Sequence, residues 1–219
     1  MKNVYIYCEG QSEESFIREI IAPYFVNQNI YIRPIICETK RTNVQKYRGG
    51  VSDYNKIKKE LVRLCKGHRN EFLTTMFDYY GLPENTPGSD LIIANIYEKV
   101  KRMEDAVTED LGQNNCRFNI VVHEFEGLLF SKPEAFSVIT DESTVKEISR
   151  IKERYANPEL INNSPESAPS KRLLQLIRRY SKVKDGTIVA KEIGINTILE
   201  NCPHFSEWIR SIQEKGAAS

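Results

Sequence analysis

The sequence predicts an α/β protein: a mainly parallel four-stranded sheet flanked by helices, followed by a helical C-terminal extension. Three observations carry that prediction. Short runs rich in β-branched and aromatic residues alternate, over the first two-thirds of the chain, with longer stretches whose apolar residues recur at helical spacing. The intervals between successive runs are long enough for the crossover helices that parallel pairing requires. Beyond Leu128 no further strand-like run occurs, only short helical patterns separated by Pro- and Asn-rich turns.

The first strand is Val4-Tyr5-Ile6-Tyr7-Cys8, and it runs directly into Glu9-Gly10-Gln11-Ser12-Glu13. Gly10 suits a sharp exit from the strand, and Ser12 suits a helix cap. Phe16, Ile17, Ile20, Ile21, Tyr24 and Phe25 then share one helical face, with Pro23 expected to bend or end the helix early. A second strand follows at residues 31–37. The next helix, capped near Ser52, carries Tyr54, Ile57, Leu61 and Leu64 on one stripe, and Gly67 separates it from a third strand at 72–77. Gly81, Pro83, Pro87 and Gly88 mark a loop before a long amphipathic helix from Asp90 to about Leu111, with Val100, Met103 and Val107 inward. The fourth strand is expected at 118–122. In the tail, Ser170 fits as the cap of a helix over 171–180, and Trp208 with Ile209 and Ile212 anchors the last helix. The expected division is an α/β domain over 1–130 and a helical extension packed on it over 131–219.

Bulk composition narrows the function. With 40% hydrophobic and 28% charged residues in 219, the chain is an ordinary globular one, not a disordered one. A net charge of +1 gives no long-range steering toward nucleic acid, which argues against a plain coating role. Cys8, Cys37, Cys65, Cys116 and Cys202 are odd in number and contain no C-x-x-C pair, so neither a disulfide framework nor a zinc ribbon is indicated. With no signal-peptide pattern and no long apolar span, the expected location is cytoplasmic.

The chemistry is suggested by acids at strand ends. Glu9 and Glu13 follow the first strand, Asp78 the third, and Glu124 and Glu126 the fourth. In an open parallel sheet, ligands gather outside the carboxyl ends of the strands, so residues remote in sequence converge there. Five carboxylates in one crevice repel unless cations neutralise them or some become protonated. Oxygen-only ligands favour one or two Mg²⁺ or Mn²⁺ ions over zinc. A separate segment, Lys40, Arg41, Lys46 and Arg48 with Tyr47 and Gly49-Gly50, suits phosphate or nucleic-acid contact, and Lys171 and Arg172 open a second basic group.

The order Glu-Gly-x-x-Glu, then Asp, then Glu-x-Glu after successive strands resembles the Toprim domain, in the branch of the overcoming-lysogenization-defect nucleases. Tyr79-Tyr80-Gly81-Leu82-Pro83, His123-Glu124-Phe125-Glu126-Gly127-Leu128-Leu129-Phe130, Asn157-Pro158-Glu159-Leu160-Ile161-Asn162, Ala168-Pro169-Ser170-Lys171-Arg172 and Cys202-Pro203-His204-Phe205 resemble a narrower Toprim-like bacterial group, domain-of-unknown-function family 4276. The resemblance implies a catalytic role for Glu9, metal ligation by Glu9, Asp78, Glu13, Glu124 and Glu126, and a catalytic cation at Lys171. Tyr80 stands where the common Toprim pattern has a second aspartate. The expectation is a metal-dependent nuclease acting on nucleic acid, with a partner ATPase in phage defence as a further implication. A non-catalytic binding or regulatory module and a phosphohydrolase of small nucleotides are the alternatives.

Overall fold

Five parallel strands form one sheet in the computed structural model, which describes residues 2–37, 53–162 and 167–217. They are β1 (Lys2–Cys8), β2 (Ile30–Ile36), β3 (Phe72–Asp78), β4 (Cys116–Arg117) and β5 (Ile120–Val121). The order is β2-β1-β3-β4, with β5 pairing further along β3. Along β1 the side chains alternate between two cores, as the period of a strand demands. Val4, Ile6 and Cys8 join Phe16, Ile17 and Ile21 on one face, whereas Tyr7 joins Tyr54, Ile57, Val100 and Val107 on the other. The chain leaves β1 toward β2 and returns past β1 to β3, so its direction of winding reverses between β1 and β3. That reversal makes a crevice at the carboxyl ends of these two strands.

The first crossover is α1 (Gln11–Phe16), a π-helical segment (Ile17–Ile21) and α2 (Ala22–Val26). Pro23 does not end this helix. The wider π turn, in which the Ala22 N–H donates to the Ile17 carbonyl, comes just before the proline and lets the chain continue with Ile17, Ile20 and Ile21 still facing the core. Ser12 makes no cap bond, and Gly10 sits at the N-cap with an extended φ of −162°, without using the left-handed freedom of glycine. On the other face lie α3 (Tyr54–Gly67) and α4 (Ile96–Leu111). The Asp53 carboxylate caps α3 by accepting from the Asn55 N–H at 3.0 Å, and the expected cap Ser52 lies outside the described residues. The fourth helix begins later than Asp90 because the Asn95 side chain provides the cap, accepting from the Tyr97 N–H at 3.0 Å.

The fourth strand is not the continuous run expected at 118–122. It is two short pieces, β4 and β5, joined through Phe118-Asn119. The Thr75 hydroxyl of β3 donates to the Asn119 carbonyl at 2.7 Å and accepts from the Asn119 N–H at 2.8 Å, standing in for the ladder at the break. On either side, Phe118 N–H donates to the Thr108 hydroxyl and Ile120 N–H to Glu104 Oε1. Side chains thus satisfy a sheet edge that has no further strand among the described residues.

After Leu128 the described residues are helical or irregular: 3₁₀ turns at Phe125–Ser131, Pro133–Val138 and Pro158–Leu160, then α5 (Glu142–Lys152), α6 (Pro169–Leu176), α7 (Lys184–Ile193), α8 (Ile195–Asn201) and α9 (Pro203–Ala217). The expected helix at 171–180 thus starts earlier and stops sooner, and Ser170 lies inside it. Leu173, Val189, Ile198, Trp208 and Ile212 share one apolar cluster with Val4 and Phe16. Trp208 Nε1 also donates to the Thr74 hydroxyl at 2.9 Å, tying α9 to the central strand.

Buried acids hold the start of α9. Glu159 accepts from the backbone N–H groups of His204 and Phe205 and from the Tyr97 hydroxyl, while the His204 ring lies 3.2 Å from Glu104 Oε1. Burial would lower the His204 pKa, but the Glu104 carboxylate outweighs it and the net shift is upward. A base with a raised folded pKa adds stability fully present below its unfolded value and lost as pH rises through the folded one. The His204→Ala substitution should therefore cost more unfolding free energy at about pH 6 than at about pH 9, as read by urea denaturation.

Candidate functional site

Glu9 is the first residue beyond β1 and Asp78 the last of β3, so the two flank the crevice where the winding reverses. Glu13 comes from the first turn of α1, and Glu126 from the 3₁₀ turn after β5; both are buried. Glu124 precedes that turn. Convergence of all five is read from Asp78. Its carboxyl is surrounded by protein even though the residue keeps some surface, and its pKa stands well above the usual carboxylate range. Burial is the largest cause, and Glu13, Glu9, Glu126 and Glu124 each add to it.

Four of the acids are held by specific local contacts. Asp78 Oδ1 accepts from the Phe125 N–H at 2.8 Å, which fixes the turn carrying Glu124 and Glu126 against the end of β3. Glu124 Oε2 accepts from the Ser170 N–H at 3.0 Å, in the first turn of α6, where the helix end favours a carboxylate. Lys182 Nζ lies 2.9 Å from Glu126 Oε1. Burial alone would lower the Lys182 pKa, but Glu126, Glu124 and Asp78 together raise it. Glu126 is pushed upward by its burial, with Lys182 opposing. The Glu9 carboxyl rests on Gly81: a Cβ there would stand 2.3 Å from Glu9 Oε2 and would push that carboxyl aside.

An aromatic pair borders the acids. Tyr80 stacks on His123 with ring centroids 5.4 Å apart, and its N–H donates to the His123 carbonyl. His123 adopts a left-handed φ of 60°, a strained conformation for a residue with a side chain. Burial lowers its pKa to about 4, so the ring is neutral at pH 7, and Nδ1 is buried without a hydrogen-bond partner among the described residues. Tyr80 therefore packs as a ring where an aspartate would add a sixth carboxyl.

The cations divide differently from the sequence expectation. Lys171 is exposed in the first turn of α6, next to the residue that binds Glu124. Arg172 is half-buried and engaged, donating to the Ser167 carbonyl at 2.7 Å and to the Tyr155 hydroxyl at 3.1 Å. Lys40, Arg41, Lys46 and Arg48 lie outside the described residues. Among the described residues, Lys182 is the cation set against the acids, and nothing in its sequence surroundings, Ser181-Lys182-Val183-Lys184, marks it. Glu104 was legible in principle, since it falls on the apolar stripe of Val100, Met103 and Val107, where an acid signals a buried partner.

The five acids offer oxygen donors, which suit a hard cation. As they stand, no three His, Cys, Asp or Glu side chains among the described residues surround a single point as ligands. Asp78, Glu124 and Glu126 are instead turned to Phe125, Ser170 and Lys182, so binding a cation would need side chains to rotate. Two clefts of about 560 and 500 Å³ lie elsewhere, at the outer edge of the sheet and at the amino ends of the strands.

These features define a parallel α/β protein with an acidic crevice at its switch point. The chain belongs to a family described as a domain of unknown function, DUF4276, whose model matches residues 8–213. That span runs from the end of β1 into α9 and includes all five acids and Lys182. No curated protein and no solved structure matches. Among the described residues no helix is long and apolar enough to cross a membrane.

An acid with a raised folded pKa adds stability below its unfolded value, near pH 4, and loses it as pH rises through the folded one. Asp78 in its charged form therefore opposes folding. Asp78→Asn, which keeps an acceptor for the Phe125 N–H, should raise unfolding free energy at neutral pH by about 1 kcal/mol or more. The gain should vanish near pH 4 in parallel urea titrations.

Proposed function

We propose that this protein is a Mg²⁺- or Mn²⁺-dependent phosphodiesterase acting on nucleic acid. The observation that carries the reading is the set of five carboxylates that act on one another around Asp78, with Lys182 as the opposing cation. Such an accumulation costs stability unless a further cation is bound. Asp78, Glu9 and Glu13 would hold that cation, with Glu124 or Glu126 completing its shell after rotating away from Ser170 or Lys182. A divalent ion bound there lowers the pKa of an attacking water and offsets charge on a leaving phosphate oxygen. Glu9, half-buried and packed on Gly81, is the base that takes the water proton. Lys171, exposed in the first turn of α6, would meet incoming phosphate, and Lys182 would be freed toward the same charge if Glu126 turned to a bound cation.

The resemblance to Toprim nucleases supports a nucleic-acid substrate and a partner ATPase in phage defence. A second reading is favoured by one observation: Tyr80 packs on His123 in the position of an acid, which removes a ligand for a second ion. On that reading the crevice binds one cation as part of a non-catalytic regulatory module.

Two measurements separate these readings. Mn²⁺ at millimolar concentration should raise the Tm of the wild-type protein by several degrees, about 1–3 kcal/mol of linkage, and should leave Asp78→Asn unchanged. With Mn²⁺ present, cleavage of single- and double-stranded DNA and RNA should fall at least about a hundredfold in Glu9→Gln. A Tm shift without cleavage, alone or with an ATPase partner, favours the regulatory module; no Tm shift removes both readings.

A further inference from the structure

The cleft of about 560 Å³ at the outer edge of the sheet lies between α4, the β4–β5 segment and α9, and shares no residue with the acidic crevice. Its floor is polar. Asn119 is only 5% exposed, and both its backbone groups are taken by the Thr75 hydroxyl. Asn119 lines the cleft, and its side-chain amide is accessible from it and is not one of the buried groups left without a partner. Beside it, Glu104 Oε1 accepts from the N–H of the very next residue, Ile120, and pairs with His204, leaving Oε2 for the cleft. The Asn119 amide and the second Glu104 oxygen thus keep hydrogen-bonding capacity on the cleft side, where water or a bound ligand can meet it. One wall is the ring of Tyr97, held in place by hydroxyl bonds to Asn157 at 3.0 Å and Glu159 at 3.1 Å. A fixed aromatic face beside a paired donor and acceptor suits a flat heterocycle.

We propose that this cleft binds a guanine base. Guanine presents an acceptor edge at O6 and N7 and N–H donors beside it. The Asn119 amide donates to O6 or N7, Glu104 Oε2 accepts from the N1–H and N2–H donors, and the base stacks on Tyr97. Adenine brings one exocyclic N–H to the carboxylate, and inosine lacks the N2 donor, so both leave the buried Oε2 with fewer bonds. The rim carries Lys101, Arg117 and Arg210 but also Glu98, Glu207 and Glu214, so its charge is balanced. The base and not the phosphate is then the recognised part, whether it arrives as a free nucleoside, a nucleotide or a residue of single-stranded nucleic acid.

Trp208, the sole tryptophan, lines the same cleft and reports its occupancy. The test titrates the full chain, without metal, with guanosine, GMP, inosine, adenosine and uridine, following Trp208 fluorescence and heat of binding. A fourteen-nucleotide single strand with one central guanine, and its guanine-to-adenine control, form the nucleic-acid arm. Guanosine and GMP should bind saturably within a few-fold of each other, and inosine and adenosine about ten-fold or more weaker. Binding of the oligonucleotide alone, lost in its adenine control, assigns the guanine to nucleic acid. Asn119→Ala and Glu104→Gln should each weaken guanosine about ten-fold. Because both residues are buried, the guanosine-to-inosine ratio on the wild-type protein reads the Glu104 contact without any substitution. Equal binding of all nucleosides, no binding of any probe, or unchanged affinity in a folded Glu104→Gln overturns the proposal.

Discussion

Negative charge gathered at the carboxyl end of β3 is the constraint around which the rest of the molecule is arranged. Asp78 is enclosed by protein and faces four other acids, a combination that pushes its carboxyl well above the ordinary range. The fold offsets part of that cost with backbone dipoles and one lysine. Phe125 donates its N–H to Asp78, the first turn of α6 donates to Glu124, and Lys182 pairs with Glu126. The last two come from beyond residue 131, so the helical C-terminal part completes the crevice as well as covering the sheet. Those offsets are partial, since Asp78 and Glu126 both remain shifted upward.

A second desolvation problem sits at the far edge of the sheet. Among the described residues, the β4–β5 segment has β3 on one side and no further strand on the other. Free edges invite pairing with other chains, and natural sheets cover or interrupt them. Here the interruption is chemical. Thr75, Thr108 and Glu104 supply side-chain partners to consecutive backbone groups of Phe118, Asn119 and Ile120. Glu104, which satisfies the edge, also pairs with the His204 ring, and Glu159 accepts from the His204 and Phe205 N–H groups at the start of α9. The outer cleft is the space left between these two obligations, which is why its floor is polar and not apolar.

Local misreadings in the sequence arise where bonds or packing that local patterns do not show decide the backbone. Ser12 and Ser170 are good caps by type, yet Ser12 makes no cap bond and the Ser170 N–H is already taken by Glu124. Pro23 is a helix breaker by type, yet a π turn accommodates it because Ile17, Ile20 and Ile21 gain more by staying in the core. The run at 118–122 has strand composition throughout, but Thr75 takes both backbone groups of Asn119 and splits it.

Sequence by itself determined the parallel α/β class and the presence of acids at three strand ends, because strand and helix periods are local and the residue after each strand is read directly from its end. It also determined that the tail is helical. Strand order was decided by tertiary structure alone: the placement of β1 beside β3 brings Glu9 to Asp78, and no local pattern encodes which strands become neighbours. The choice of Lys182 as the opposing cation was likewise tertiary, since a lysine in a turn has no period and acquires its role only when α6 and α7 fold back over the crevice. The stacking of Tyr80 on a strained His123 belongs to the same category, because it depends on the approach of two turns separated by a whole crossover helix.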